Sequence, residues 1–354
     1  MSLFFNHGYW SNSSKPGGQV FFVSGGTVAY RGKGGSDSSD GLTPERPLST
    51  ISGALSKCVS GRGDTIVILP GTITLTAAVN ITIADLTIQG YADTGPHVRK
   101  PSIITAAATY DDNLIQIDAD DVTIKDLTFE AGFTNTTANQ EVIQINSTDA
   151  SSDIFGAVIE NCFFEMNRAA GAASVTDNDL DVIRVGLDSN DRAFSSTVRG
   201  CTIRGCDQDA ISISSGSTGA LIENNQIYDG VGSELTRIGV SILAIGACVK
   251  NNFIMTGTNS DTAGPISVGV AAALARIHDN RLVARGEHTV GITVVTTATA
   301  CSSANWINAV SAGNIVDYKG SSVTTPSSSA DVGNIFNASD PALAAFTAAT
   351  LAGS

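Results

Sequence analysis

The sequence is poor in charge, and poorest in positive charge. Charged residues make up 15% of its 354 residues, whereas ordinary soluble domains carry roughly 25%. Lys and Arg number 20 against 34 Asp and Glu, so the formal net charge is −14. Neutralising a phosphate backbone requires clustered Lys and Arg, and the sequence contains no such cluster. The composition therefore excludes a protein that binds nucleic acid independently of its sequence.

Features of membrane, exported and metal-binding proteins are also missing. The sequence has no run of about 18 apolar residues, so we expect no membrane insertion. Segment 1–10 lacks both a basic region and a long apolar core, so we expect no Sec export. The six cysteines show no CxxC and no Cys/His metal spacing, so we predict buried, reduced thiols, no metal and no cofactor. Aromatic residues make up 6%, which disfavours a groove that stacks sugar rings.

What the sequence does have is an abundance of Gly, Asn and β-branched residues, which favours an all-β protein. A short pattern recurs eight times, and an alternating strand that reads as half-buried follows most copies. The repeated segments are 81–88, 122–129, 157–164, 196–203, 220–227, 247–254, 275–282 and 310–316. The alternating strands are 114–117, 142–145, 182–185, 210–213, 240–243, 266–270 and 291–295. We interpret each pair as one coil of a solenoid.

Aligned positions of the repeats predict how the coils stack. One position holds only Gly, Asn or Asp, the residues that tolerate a left-handed bend. The next position predicts a buried amide ladder, with its cysteines acting as small hydrophobes. The bend residues are Asp85, Asp126, Asn161, Gly200, Asn224, Asn251, Asp279 and Gly313. The ladder position reads Leu86, Leu127, Cys162, Cys201, Asn225, Asn252, Asn280 and Asn314.

A column of predicted surface residues supports this stacking independently. The residue after the first apolar position alternates in sign from coil to coil wherever it is charged. Parallel neighbours of opposite sign avoid like-charge contact, so the alternation indicates that the coils stack in register. The column reads Lys125, Glu160, Arg199, Glu223, Lys250 and His278.

We therefore expect one β-solenoid domain with a cover at each end, since a bare terminal coil is an open sheet edge. Residues 1–40 form an anchoring or capping segment, and residues 41–318 form the solenoid. An amphipathic cap helix covers about 43–59, with Leu48, Ile51, Leu55 and Val59 on its apolar face. Residues 319–354 hold a linker and a second cap helix that begins at Asp340-Pro341.

The run DGLTPERPLSTISGAL…GDTIVILPG at 40–71, followed by IENNQI-type coils, resembles the right-handed parallel β-helix proteins of the pectate-lyase-like superfamily. The resemblance covers about residues 37–318. It implies an all-β, right-handed, single-stranded parallel β-helix. Members of that superfamily include polysaccharide lyases and hydrolases, bacterial surface proteins and phage virion proteins, so the fold selects no function.

Asp181 and Asp209 are the candidate catalytic residues. Each precedes the first apolar residue of its strand by two positions, so they should lie on adjacent coils about 5 Å apart. The segment CDQDAISI at 206–213 resembles the paired-Asp strand of polygalacturonase-like hydrolases, but the Gly-His-Gly turn of those enzymes is absent. Turn-forming aspartates are the simpler interpretation. The acidic run 177–181 near Arg184 or Arg204 could instead hold calcium in a lyase.

These observations favour a scaffold over an enzyme. Our leading hypothesis is a non-enzymatic phage virion protein, a homotrimeric β-helical spike or capsid decoration that is assembled in the host cytoplasm and displayed on the virion surface. The apolar residues Phe4, Phe5, Tyr9 and Trp10 would attach it to another virion protein or a sister subunit, or cover the first coil. The alternatives are a tailspike depolymerase that acts on host surface polysaccharide and a bacterial surface adhesin.

Overall fold

The computed structural model describes most of the chain between residues 17 and 336. The described ranges are 17–25, 34–91, 95–107, 112–130, 141–147, 153–166, 181–188, 192–205, 209–228, 238–255, 265–269, 272, 274–284, 292–295, 300–303, 305–309, 316–319, 330–332 and 335–336. Residues Phe4, Phe5, Tyr9 and Trp10 and the predicted C-terminal helix lie outside them. In these ranges no helix has the length and apolarity that a membrane crossing requires.

The chain forms three long parallel sheets, named A, B and C in the order in which each coil visits them. Sheet A contains Val20–Val23, Thr65–Ile68, Thr87–Gly90, Thr123–Lys125, Val158–Glu160, Thr197–Arg199, Leu221–Glu223, Cys248–Lys250, Ala275–His278, Ala300–Ser303 and Ala330–Val332. Sheet B contains Gly71–Leu75, Ser102–Ala106, Thr128–Glu130, Phe163–Glu165, Thr202–Arg204, Gln226–Tyr228, Phe253–Met255, Arg281–Ala284, Trp306–Ala309 and Ile335–Phe336. Sheet C contains Val79–Ile81, Ile115–Ile117, Ile143–Ile145, Ile183–Val185, Asp209–Ile213, Ile238–Ile242, Ile266–Val268, Ile292–Val295 and Val316–Lys319.

This arrangement is the predicted right-handed parallel β-helix. Each strand pairs in parallel with the equivalent strand of the next coil, as in the register of Ile143 with Ile183. A small fourth sheet pairs Ile154–Phe155 with Ala193–Phe194 at the corner between sheets C and A. Inward side chains stack from coil to coil into one core, in which the rings of Phe129 and Phe164 lie parallel with centroids 5.0 Å apart.

The left-handed bends occupy two corners of the helix. Between sheets A and B, Asp126, Asn161, Gly200 and Asn224 have φ values from 52° to 64°. Asp85 also has positive φ, but its backbone N–H donates to Asp120 at the corner between sheets C and A. The register predicted for the first repeat is therefore wrong: Ile88 pairs with Ile124 rather than with Phe129.

The register predicted for the last repeat, 310–316, is also wrong. Val316–Lys319 belongs to sheet C, where Val316 pairs with Ile292. The true eighth segment is ACSSANWI at 300–307, whose strands extend sheets A and B. It escaped recognition because Ser302 occupies the position that holds Ile or Val in most other coils.

The N-terminal end differs from the predicted cap in two ways. The described helix is Ile51–Leu55 alone, begun by Thr50, whose side chain accepts a hydrogen bond from the Gly53 N–H. Residue Val59, predicted on the apolar face, is 50% exposed. The strand Val20–Val23, within the segment assigned to anchoring, pairs with Thr65–Ile68 as the first strand of sheet A. Both ends of the predicted solenoid therefore extend further, since the strands after residue 318 also join sheets A and B.

Candidate functional site

A column of polar residues lies just before the strands of sheet C. Asn113, Glu141 and Asp181 each stand two residues before an isoleucine, and those isoleucines pair coil by coil. Asp209 stands two residues before Ile211, which pairs with Ile183. The fold therefore brings the predicted pair Asp181 and Asp209 to adjacent coils.

Backbone hydrogen bonds fix the side chains of this column. The Asp209 N–H donates to Oδ1 of Asp181 over 3.2 Å. In the same way, the Glu141 N–H donates to Oδ1 of Asn113 over 2.8 Å. These side chains satisfy backbone donors of the next coil, as an amide ladder would, so the column has a structural role whatever its chemistry.

Burial changes the acidity of Asp181. Its residue surface is 7% exposed. Burial raises the pKa of this carboxyl well above its usual range, and the negative charges of Asp209 and Glu141 raise it further against the opposing effect of Arg184. Asp181 therefore retains a proton at pH values where an exposed aspartate is ionised.

Glu141 is a member of this column that the sequence reasoning missed. It is fully buried, and its Oε1 accepts a bond from Nη1 of Arg184 over 3.0 Å. Arg184 also donates from Nη2 to the carbonyl of Leu187 over 3.3 Å. Glu141 precedes Ile143 by the same number of residues as Asp181 precedes Ile183. The alignment that identified the two aspartates could therefore have identified Glu141 as well.

From Gln116 to Ser267 the outward row of sheet C beside this column is polar, and Arg184 is its one charged member. The Asn113 Nδ2 donates to Oε1 of Gln144 over 2.6 Å, and the Gln116 Nε2 donates to Oδ1 of Asn146 over 3.2 Å. The outward row reads Gln116, Gln144, Arg184, Ser212, Ser241 and Ser267.

A protonated acid beside a second carboxylate is the minimum that glycoside hydrolysis requires. Arg204 does not join the column. Arg204 pairs with Glu165 on sheet B over 3.0 Å. Asp177, Asp179 and Asp207 lie outside the described residues. Within the described part of the chain, no group of three or more His, Cys, Asp or Glu side chains is placed to hold a metal ion.

The predicted ladder residues stack in the core. The Asn225 Nδ2 donates to Oδ1 of Asn252 over 3.0 Å, and Asn252 donates in the same way to Asn280 over 3.0 Å. The next member is Asn305, which accepts from the Asn280 Nδ2 over 2.9 Å. Asn314, predicted at that place, lies outside the described residues.

Cys162 and Cys201 continue this column as buried thiols. Burial raises the pKa of the Cys162 thiol, and its neighbour Cys201 adds to the effect. A thiol held protonated is a poor nucleophile and a poor metal ligand. Both cysteines are buried among the apolar residues of the core and fill space there.

Comparison with known proteins supports the fold alone. No protein-family model matches the sequence, and no curated protein matches it. The structure titled XylC in complex with xylose is 13% identical with a TM-score of 0.56, covering 90% of this chain and 68% of that one. The tailspike protein of Acinetobacter phage vB_ApiP_P1 is 13% identical with a TM-score of 0.53, covering 78% of this chain and 53% of the tailspike. This chain thus spans about half the length of the tailspike it resembles.

Proposed function

We propose that the chain is a structural protein of a phage virion, a β-helical spike or capsid decoration at the particle surface. The observation that carries the proposal is the shared fold with a phage tailspike. A β-helix suits this role because each coil rests on the last through backbone hydrogen bonds and buried stacks, as in Asn225 on Asn252. Such a column is a rigid projection whose length follows from its number of coils.

The contacts of Asp181 and Asp209 support a structural protein over an enzyme. Asp181 accepts from a backbone N–H of the next coil, and Arg184 is engaged by Glu141. Similar bonds between coils occur at Asn113, which no hydrolytic mechanism needs. The column is thus explained by the satisfaction of buried donors.

Locating the chain in particles tests the proposal. Phage particles purified by density gradient should contain the chain by mass spectrometry, and gold-labelled antibody should mark the particle surface. Recovery of the chain from a bacterial envelope fraction with no phage present would contradict the proposal and favour the adhesin.

A polysaccharide depolymerase is the second candidate, favoured by the raised pKa of Asp181 beside Asp209. Purified protein would be incubated with host surface polysaccharide, and reducing ends and unsaturated products would be measured. An enzyme would release products, and Asp209→Asn or Asp181→Asn would abolish the release. Asp153→Asn is the matched control, because Asp153 pairs with Arg192 at another corner. Absence of products from all four proteins would exclude hydrolysis and lyase chemistry on that polysaccharide.

A further inference from the structure

Cys248 differs from the other described cysteines in its exposure. Of the four cysteines whose side chains the structure describes, Cys248 alone is partly exposed, and the other three are buried. It lies in the strand Cys248–Lys250 of sheet A, where Val249 is fully buried. Because side chains alternate along a strand, Cys248 and Lys250 point to the outer face of the sheet. The prediction of buried thiols is therefore wrong at this position, and this thiol can meet molecules in solution.

An imidazole stands beside this thiol. Val249 pairs with Ile277 on the next coil, and Lys250 pairs with His278, so His278 shares the outer face with Cys248. The Cys248 Sγ lies 3.7 Å from Nε2 of His278, and the two atoms form a hydrogen bond. The fold therefore brings a thiol and an imidazole together from two coils that are far apart along the chain.

Asp279 decides which nitrogen of this imidazole carries the proton. The His278 Nδ1 lies 2.7 Å from Oδ2 of Asp279. An ionised carboxylate only accepts hydrogen bonds, so Nδ1 of the neutral imidazole is the donor and Nε2 carries the free electron pair. That electron pair faces the Cys248 Sγ, which is therefore the donor in their contact. Cys248, His278 and Asp279 thus supply the thiol, the base and the orienting carboxylate of a base-assisted nucleophile.

The surroundings keep the resting sulfur of Cys248 protonated. Burial raises the pKa of this thiol, the positive charges of Lys250 and Arg276 oppose the rise, and Glu223 adds to it. A thiol must lose its proton before it attacks, so a base within reach determines its reactivity. Once formed, a thiolate of raised pKa is the stronger nucleophile.

A cation marks the side from which a reactant approaches. Arg276 pairs with Cys248 across the two strands, and its side chain is exposed. The other cation near the sulfur, Lys250, is engaged by Glu223 over 3.1 Å. A carboxylate on the reactant would therefore be attracted to Arg276, beside the sulfur that it is to meet.

We propose that Cys248 is a site of thiol–disulfide exchange and takes a small disulfide that bears carboxylates, such as glutathione disulfide. The Cys248 proton passes to Nε2 of His278, and Sγ bonds to one sulfur of the disulfide as the S–S bond breaks. The departing sulfur takes the proton from the imidazolium and leaves as a thiol. Cys248 is thereby oxidised to a mixed disulfide, and the other half of the reactant is reduced. Asp279 is a positioning residue for His278. The site does not depend on membership of a virion.

Timed incubation of the full-length protein with glutathione disulfide tests this. Samples are quenched with acid and mapped by peptide mass spectrometry, which reads Cys248 separately from every other cysteine. Cys248 should gain the glutathionyl group, while the buried Cys162 and Cys201 should not. His278→Ala should slow the reaction at neutral pH by about tenfold or more. The matched control Arg199→Ala lies in the same outward column three coils away and should react as wild type. A folded wild type that leaves Cys248 unmodified overturns the proposal.

The dependence of the rate on pH separates a base from a structural residue. In wild type the rate should reach a plateau once His278 is neutral, above roughly pH 6.5. In His278→Ala the rate should instead keep rising with pH, because only the thiolate that forms spontaneously then reacts. Two profiles of the same shape would contradict the role of His278, and urea midpoints show whether both proteins are equally folded.

Two substitutions of Asp279 test its positioning role. Asp279 has a φ of 58°, and Asn and Gly both suit that bend. Asp279→Asn keeps an oxygen to accept from Nδ1 of His278, whereas Asp279→Gly removes it. The Gly variant should therefore react more slowly than the Asn variant, and equal rates would contradict the positioning role.

A cationic disulfide tests the choice of reactant. Each rate is divided by the rate with the urea-unfolded protein, which corrects for the intrinsic reactivity of the disulfide. So corrected, cystamine should react with Cys248 more slowly than glutathione disulfide does, and Arg276→Ser should remove most of the difference. Equal or faster reaction of cystamine in wild type would contradict an anionic reactant.

Discussion

At the scale of single residues, buried polar side chains connect one coil to the next. Asn252 is 2% exposed, and its Nδ2 donates to Asn280 while its Oδ1 accepts from Asn225. It also donates to the carbonyl of Ile222 over 3.0 Å. A side chain with this many partners cannot be removed without leaving buried groups unsatisfied.

We expect Asn252→Ala to lower the free energy of unfolding by about 2 kcal/mol or more, because the Asn225 backbone N–H and Nδ2 both lose the Oδ1 of Asn252 as acceptor. The midpoint of urea unfolding measures this. Asn251→Gly is the control, since Asn251 is a left-handed bend that glycine also adopts, and it should change stability little. Equal losses in the two variants would contradict a role for the ladder.

Asp181 should make stability depend on pH. Its pKa is higher in the folded chain than in the unfolded chain, so the folded state binds more protons between those two values. The contribution of this carboxyl is therefore fully present below about pH 4 and is lost as the pH rises toward the folded pKa. Asp181→Asn carries no titrating proton and keeps an oxygen to accept from Asp209. The stability of the variant relative to wild type should therefore increase as the pH rises. Unfolding midpoints of both proteins, measured at several pH values, test this. A difference that stays constant with pH would contradict the raised pKa.

At the scale of elements, the bends decide where one sheet passes into the next. Gly200 has a φ of 64°, and a Cβ there would collide with Oδ1 of Asn161 on the preceding coil. Consecutive coils therefore constrain each other at this corner. Glycine is needed at position 200 because the side chain of Asn161 occupies the space that a Cβ would fill.

Gly200→Ala should accordingly destabilise the protein by at least about 1 kcal/mol, from the left-handed backbone and the contact with Asn161. Thermal unfolding at fixed pH measures the loss. Gly34→Ala is the comparison, because a Cβ at Gly34 meets nothing within 4 Å. An equal loss of stability in Gly200→Ala and Gly34→Ala would show that the contact with Asn161 does not require glycine at position 200.

At the scale of the whole molecule, the first strand covers an open edge. Backbone carbonyls at both ends of the strand Val20–Val23 accept hydrogen bonds. The Thr65 N–H donates to the carbonyl of Gln19, just before the strand, and the Leu69 N–H donates to the carbonyl of Val23. Its Phe22 packs outward on Val67 and Leu69 in a small separate cluster. The strand therefore shields both the backbone and the apolar side chains of Thr65–Ile68.

A chain that begins at Gly34 should aggregate, because the edge of Thr65–Ile68 is then free to pair with other chains. Light scattering against the full-length protein measures this. Adding Val67→Lys to the shortened chain should restore solubility, since a lysine on an edge strand opposes pairing. Equal scattering from the shortened and full-length chains would show that the strand has no covering role.

Patterns in the sequence predict the β-helix, the corner between sheets A and B, the amide ladder through Asn280 and the adjacency of Asp181 and Asp209. These follow from local periodicity, since identical coils must bend and bury side chains at the same positions. The ends of the solenoid became clear only from the folded chain: the strand Val20–Val23, the length of the helix Ile51–Leu55, and Asn305 as the ladder residue after Asn280. The folded chain also reveals Glu141 beside Arg184. The physical reason is that such features depend on which coil lies next to which, and loops of variable length hide that neighbour relation from the sequence.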